Sequence, residues 1–187
     1  MRLQAIKRRC LDTKKFFIIN GQHCQWMSDA INYYRIVGIW MEDDWVQDVF
    51  ALTDKQMKKL IVQTEPRKEA IFAEDYPAIG EPVSWAGAVW AFEQVLYAFD
   101  YNGAMLYIPE AWAKPANIEG ATDYRLVRDD EGNLLIAVYN GMFCDAMLSP
   151  IPADIAKRIS RALTELGSRP VYGAKDDMNE GQDEREV

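Results

Sequence analysis

Ser84–Asp100, SWAGAVWAFEQVLYAFD, is the stretch on which the fold turns. Ser84 is a residue type that caps helix N-termini, and Asn102-Gly103 just beyond supplies a helix stop. Between them, apolar residues fall on nearly every face of a helix. The expectation is a central helix over residues 84–100, buried on two sides or packed against a second subunit, which makes a homodimer one expected assembly. Its most apolar run, Trp85–Phe92, is too short to span a bilayer and is followed by Glu93 and Gln94.

Outward from this helix, each flank reads as strands followed by a helix. Upstream, KKFFIINGQHCQWM carries Asn20-Gly21 between apolar runs, a strong hairpin signal because a type I′ turn needs two residues with positive φ. AINYYRIVGIW (Ala30–Trp40), rich in β-branched and aromatic residues, is expected as a third strand. LTDKQMKKLIV then predicts a short helix, with Thr53 as N-cap and Met57, Leu60 and Ile61 on one face. Residues 64–83 hold three prolines and read as a connector. Downstream, AMLYIP is expected as a strand. YRLVRD, LLIAVY and MFCDAML make a second three-stranded meander, with Asn140-Gly141 at its second turn. A helix closes the chain, with Pro152 near its start and Ile155, Ile159, Ala162, Leu163 and Leu166 on one face.

Asn20-Gly21-x-x-Cys24-x-x-Met27 matches Asn140-Gly141-x-x-Cys144-x-x-Met147. The fold class expected is therefore α+β: two antiparallel β-meander-plus-helix units, residues 14–63 and 122–167, around the central helix. Residues 1–172 form one globular domain on this reading, and residues 173–187 a disordered acidic tail.

Across 187 residues the formal net charge is −8. It is unevenly spread. Arg2, Lys7, Arg8, Arg9, Lys14 and Lys15 make the first fifteen residues basic, whereas residues 16–172 and 173–187 are both acidic. An acidic body disfavours phosphate binding, since duplex affinity comes largely from cationic neutralisation. It suits either ordinary solubility or a basic protein surface. Three cysteines argue against a disulfide framework. The start lacks the apolar run of a secretory leader, so a soluble protein of the cytoplasm is expected.

Conventional catalytic equipment is sparse. The single histidine, His23, adjoins Cys24. With Asn20 and Gly21 at the turn, Cys24 faces Phe17 and His23 faces Ile18. The two side chains then lie on opposite sides of the strand, a poor arrangement for a shared metal or a Cys-His nucleophile pair. A Cys10/His23/Cys24/Cys144 zinc site has suitable residue types without recognised spacing, and Cys24 and Cys144 read better as small core residues. No Walker loop, dinucleotide-binding glycine motif or nucleophile elbow is present. Asp29 and Asp145, each after a hairpin, are candidates for burial, and turn or edge polarity explains them equally well. No catalytic residue, metal ligand or cofactor is expected. Glu42, Asp43, Asp44 and Asp48 lack calcium-loop spacing and are candidate partner-contact residues. Tyr33, Tyr34, Trp40 and Trp45 suit core packing or a protein interface better than base stacking.

FFIING, QWMSD and YYRI, in order within Phe16–Trp40, resemble the opening of short proteins carried by phages and prophages of gut Firmicutes. LLIAVYNGMFCDAMLSPI (Leu134–Ile151) is similar to their C-terminal strand pair. Some small acidic proteins of that background are anti-CRISPR proteins. The resemblance thus implies a non-enzymatic inhibitor, acting in the host bacterial cytoplasm. Its partner would be a CRISPR-associated, RNA-guided nuclease or the complex of that nuclease with its guide RNA. A looser resemblance joins the repeated meander-and-helix units and the NG…SD…YRI turn to the DNA sliding-clamp repeat. It implies a DNA-replication or DNA-metabolism accessory protein in which Lys157, Arg158 and Arg161 of the closing helix face the duplex.

Overall fold

The computed structural model describes residues 3–21, 24–65, 80–129 and 131–167. His23 and the acidic segment 173–187 lie outside the described residues. The elements begin with α1 (Leu3–Thr13), β1 (Lys15–Asn20), β2 (Gln25–Ser28) and β3 (Tyr33–Ile36). A single 3-10 turn (Asp43–Trp45) leads into α2 (Val46–Val49), α3 (Asp54–Met57) and β4 (Ile61–Glu65). Then come β5 (Glu81–Pro82), β6 (Ser84–Ala91), β7 (Gln94–Tyr101), β8 (Ala104–Pro109) and α4 (Glu110–Ala113). The chain continues through β9 (Asp123–Arg128), β10 (Leu134–Asn140), β11 (Phe143–Leu148) and α5 (Ala153–Gly167). The fold is mixed α+β with two sheets.

The central helix expected over residues 84–100 is replaced by a hairpin. β6 and β7 pair antiparallel, and β8 continues them into a three-stranded sheet. The reason is local. Phe92 and Glu93 both have left-handed φ, +50° and +60°, which is what a two-residue type I′ hairpin turn requires. Neither residue type advertises that conformation, so the turn is silent in the sequence. Asn102-Gly103, read as a helix stop, is a second such turn, with φ of +50° and +82°. The strain at Phe92 and Glu93 is removable. Replacing them with Asn and Gly is expected to stabilise the fold by about 1 kcal/mol. That gain reads as a higher denaturant midpoint at unchanged slope; a lower midpoint would contradict the turn geometry.

Both expected meanders are present, and they merge. β1-β2-β3 and β9-β10-β11 join through β3 and β11 in one eight-stranded sheet of order β4-β1-β2-β3-β11-β10-β9-β5. All its pairs are antiparallel except β1 with β4. The first hairpin has a different register from the one expected. Asn20 pairs with Gln25 and Ile18 with Met27, where Ile18 was expected opposite His23. The second closes tightly, Asn140 opposite Phe143, with Gly141 at φ +62° in the first turn position. Each asparagine ends a strand because its side chain is engaged there. Gln25 Nε2 donates to Asn20 Oδ1 at 2.7 Å, and Asn140 Nδ2 donates to Asp145 Oδ2 at 2.5 Å.

Alternation along the central strands puts apolar residues on both faces. Phe16, Ile18, Met27, Tyr34, Ile36, Ile136, Val138 and Leu148 form the first core with Ile6 and Cys10 of α1 and with Phe99 and Ile108. The opposite face carries a second core of Ile19, Cys24, Trp26, Tyr33, Leu135, Ala137, Tyr139, Cys144 and Met147. A third core lies between the three-stranded sheet and α5, around Leu96, Ala98, Tyr107, Ala156 and Ile159. The apolar face expected of α5 is therefore rotated: Ala156 is buried, while Ala162 and Leu166 are exposed. α3 begins as expected, with a capping box in which Thr53 and Gln56 satisfy each other's backbone N–H. Ile61 leaves that helix and starts β4. No helix among the described residues is long and apolar enough to cross a membrane.

Candidate functional site

The chain between β3 and α3 builds an unusual surface. Gly38, at φ +79°, turns it outward after β3. Two points then tether it. The buried Gln25 side chain clasps Met41 through both backbone groups: Nε2 donates to Met41 O at 2.8 Å, and Met41 N donates to Oε1 at 2.5 Å. Met41 and Val46 plug into the first core. Between and around these anchors the apolar side chains stay in water: Val37 is 67% exposed, Trp40 54% and Trp45 49%. Ile39 and Val49 are exposed as well.

The four carboxylates predicted as partner contacts, Glu42, Asp43, Asp44 and Asp48, are all exposed on this same segment. Asp43 accepts a hydrogen bond from the Thr64 hydroxyl, which ties the 3-10 turn to β4. The four aromatics weighed for stacking divide cleanly. Tyr33 and Tyr34 are buried, with Tyr34 Oη donating to Trp112 O at 2.7 Å, whereas Trp40 and Trp45 face solvent. The charge of this surface was readable in the sequence. The exposure of its tryptophans was not, because it depends on the Gln25 clasp from another strand.

The thiols are separated by the large sheet. Cys10 sits in the first core, Cys24 and Cys144 in the second. All three are buried and none forms a disulfide, and no group of three or more His, Cys, Asp or Glu among the described residues is placed to hold a metal ion. The expected pairing of Cys24 with Phe17 is replaced: Phe17 lies opposite Ser28, while Cys24 keeps company with Trp26. Burial pushes the Cys10 thiol far up, with the Asp29 charge adding to it. Burial likewise pushes Cys144 up to about 12. An unfolded thiol ionises near pH 8.5, so the protonated thiols contribute stability that is complete below that pH and is lost as pH rises toward 12. Thermal melts should be flat with respect to these groups from pH 6 to about 8 and fall above about pH 9. A disulfide-exchange reagent at pH 8 should leave Cys10 and Cys144 unlabelled until denaturant is added. Rapid labelling of either thiol in the native protein would contradict its burial.

The basic residues of α5 do not act as one group. Lys157, Arg158 and Arg161 are all exposed. Lys157 and Arg161 line a groove of about 870 Å³ beside the third core, and Arg158 is not part of its lining. Elsewhere, the buried Asp29 forms an ion pair with Arg9 at 3.0 Å, and Asp145 holds Asn140. Both are thereby committed to turn geometry. Compared with protein-family models, curated proteins and solved structures, the chain matches none.

Proposed function

We propose that this chain is a non-enzymatic binding protein of the mobile-element type, acting in the host cytoplasm to inhibit a defence nuclease of the RNA-guided, CRISPR-associated class. The observation that carries the reading is the segment 37–49, where exposed Trp40 and Trp45 stand among exposed Glu42, Asp43, Asp44 and Asp48. Tryptophans are the side chains that most often dominate binding energy once desolvated. The surrounding carboxylates complement a basic nucleic-acid-binding groove, steer encounter with it, and make binding salt-sensitive. The β2 clasp on Met41 presents the segment in a fixed conformation, which lowers the ordering cost of docking.

The test is guided DNA cleavage by several CRISPR nucleases, with and without the purified protein, at low and moderate salt. Dose-dependent inhibition, weaker at higher salt, is expected for at least one of them. Trp40→Ala is expected to weaken inhibition about thirty-fold, the effect of a central aromatic anchor. Reversing Asp44 and Asp48 to Lys should slow association and flatten the salt dependence. Inhibition that survives both changes would move the contact surface elsewhere. Absence of inhibition across the panel would remove this function.

A further inference from the structure

The groove beside α5 is a second feature, independent of the acidic surface. It gathers side chains from five segments far apart in sequence. These are the turn after β2, the β7–β8 turn, the β9–β10 turn with the start of β10, the linker after β11, and the first half of α5. Its volume of about 870 Å³ lies within the range of small-molecule sites. The floor and walls include Ile31, Met105, Leu134 and Ile151.

Three observations give it a chemistry. First, Lys157 and Arg161 stand one helical turn apart on its rim, and neither makes an ion pair or hydrogen bond with another described residue. Residues so spaced have Cβ atoms about 6 Å apart, close enough to act on one anionic group. Second, the acidic residue on the lining, Asp129, is already committed. Its Oδ1 accepts the backbone N–H groups of Glu131 and Asn133, and its Oδ2 accepts from Asn133 Nδ2. Third, one wall is held rigid. Asp29 Oδ1 accepts the N–H groups of Ile31 and Asn32 at 3.0 and 2.7 Å, and Asn32 Oδ1 accepts Ser149 N from the opposite linker at 3.0 Å. This frame keeps Ala30 at φ +73°, a conformation costly for an alanine that persists only where its surroundings impose it.

We infer that this groove binds an amphipathic anion: an apolar body seated on the floor, with a carboxylate or phosphate head between Lys157 and Arg161. The apolar lining drives burial of the body. The two cations fix its direction, and a neutral or cationic head leaves them uncompensated at the rim. The rigid wall means that little ordering accompanies binding.

Displacement of anilinonaphthalene sulfonate, followed by fluorescence on the full-length protein, tests this directly. Dodecanoate and dodecyl phosphate, below their micellar concentrations, should displace the dye, and their ranking separates the two head groups. Dodecyltrimethylammonium should be at least about ten-fold weaker. The pair Lys157→Glu and Arg161→Glu should weaken dodecanoate by about ten-fold or more while leaving dodecanol unchanged. Ala153→Trp, introduced at an exposed lining position, should block both. Equal displacement by the cationic amphiphile, or indifference to the charge reversal, would overturn the inference. So would failure of dodecanoate to displace the dye when a synthetic peptide of residues 168–187 does, which would give the groove to the chain's own acidic segment.

Discussion

Replacing Asp29 with alanine is expected to cost about 3–5 kcal/mol, the range for breaking a buried ion pair on one side. The argument begins with Asp29 being fully buried and carrying no spare lone pair in the fold. One oxygen accepts from Arg9 Nε and Nη2 at 3.1 and 3.0 Å. The other accepts the backbone N–H groups of Ile31 and Asn32. Alanine removes the charge that pairs Arg9, which is itself largely buried. It also leaves two N–H groups of a tight turn without their acceptor and releases the constraint that holds Ala30 at positive φ. Asp29→Asn keeps an oxygen for the turn but places an amide near the guanidinium, so an intermediate loss is expected. The double variant Arg9→Met with Asp29→Asn should lose less than the sum of the two single variants, because no buried charge is then uncompensated. Urea denaturation of the four proteins checks this. Additive losses would mean that Arg9 and Asp29 are not energetically coupled.

What could be read in the sequence follows from where the determinants lie. The meanders were legible because Phe16–Ile19, Tyr33–Ile36 and Leu134–Tyr139 carry β-branched and aromatic residues, the first and last of them next to Asn-Gly signals, and these act within a few residues. The same locality misled at residues 84–100. The left-handed pair Phe92-Glu93 is imposed by the strands it joins, not by its own residue types. With that turn invisible, two strands that carry no charge before Asp100 and are separated by Phe-Glu look like one apolar helix. α1 was missed for the converse reason. Ile6 and Cys10 bury one stripe at helical spacing, but the first turn has no acidic residue, and the run Lys7-Arg8-Arg9 reads as solvated charge although Arg9 folds inward onto Asp29. The acidic segment Glu42–Asp48 was visible as charge. The groove was not visible at all, since Ala30, Met105, Leu134, Ile151 and Lys157 meet only after both sheets and α5 have assembled.

Phe99→Ala tests that assembly and should rank with Asp29→Ala in size. Phe99 lies on β7 with no exposed surface, where the three-stranded sheet meets the first core of the larger one. Its ring is 5.3 Å from that of Trp85 on β6 and 5.1 Å from that of Tyr124 on β9, both edge-on. Trp85 in turn stacks on Tyr124 at 6.3 Å and meets Tyr97 at 5.2 Å. The cluster therefore bridges the two sheets with rings alone. Removing Phe99 loses its transfer free energy, leaves a cavity that strands on both sides cannot readily close, and removes two aromatic contacts. A loss of about 3–5 kcal/mol is expected, whereas Phe99→Leu, which keeps most of the volume, should lose about 1 kcal/mol. The near-ultraviolet circular dichroism of Trp85 should weaken in the alanine variant even where the protein remains folded, because its ring loses a fixed neighbour. If the two sheets fold as one cooperative unit, unfolding followed by tryptophan fluorescence and by far-ultraviolet dichroism should coincide in the wild type. In Phe99→Ala the two signals should separate, with the three-stranded sheet loosening first. Coincident transitions together with a loss under about 1 kcal/mol would show that the third core against α5, and not this aromatic bridge, holds the smaller sheet in place.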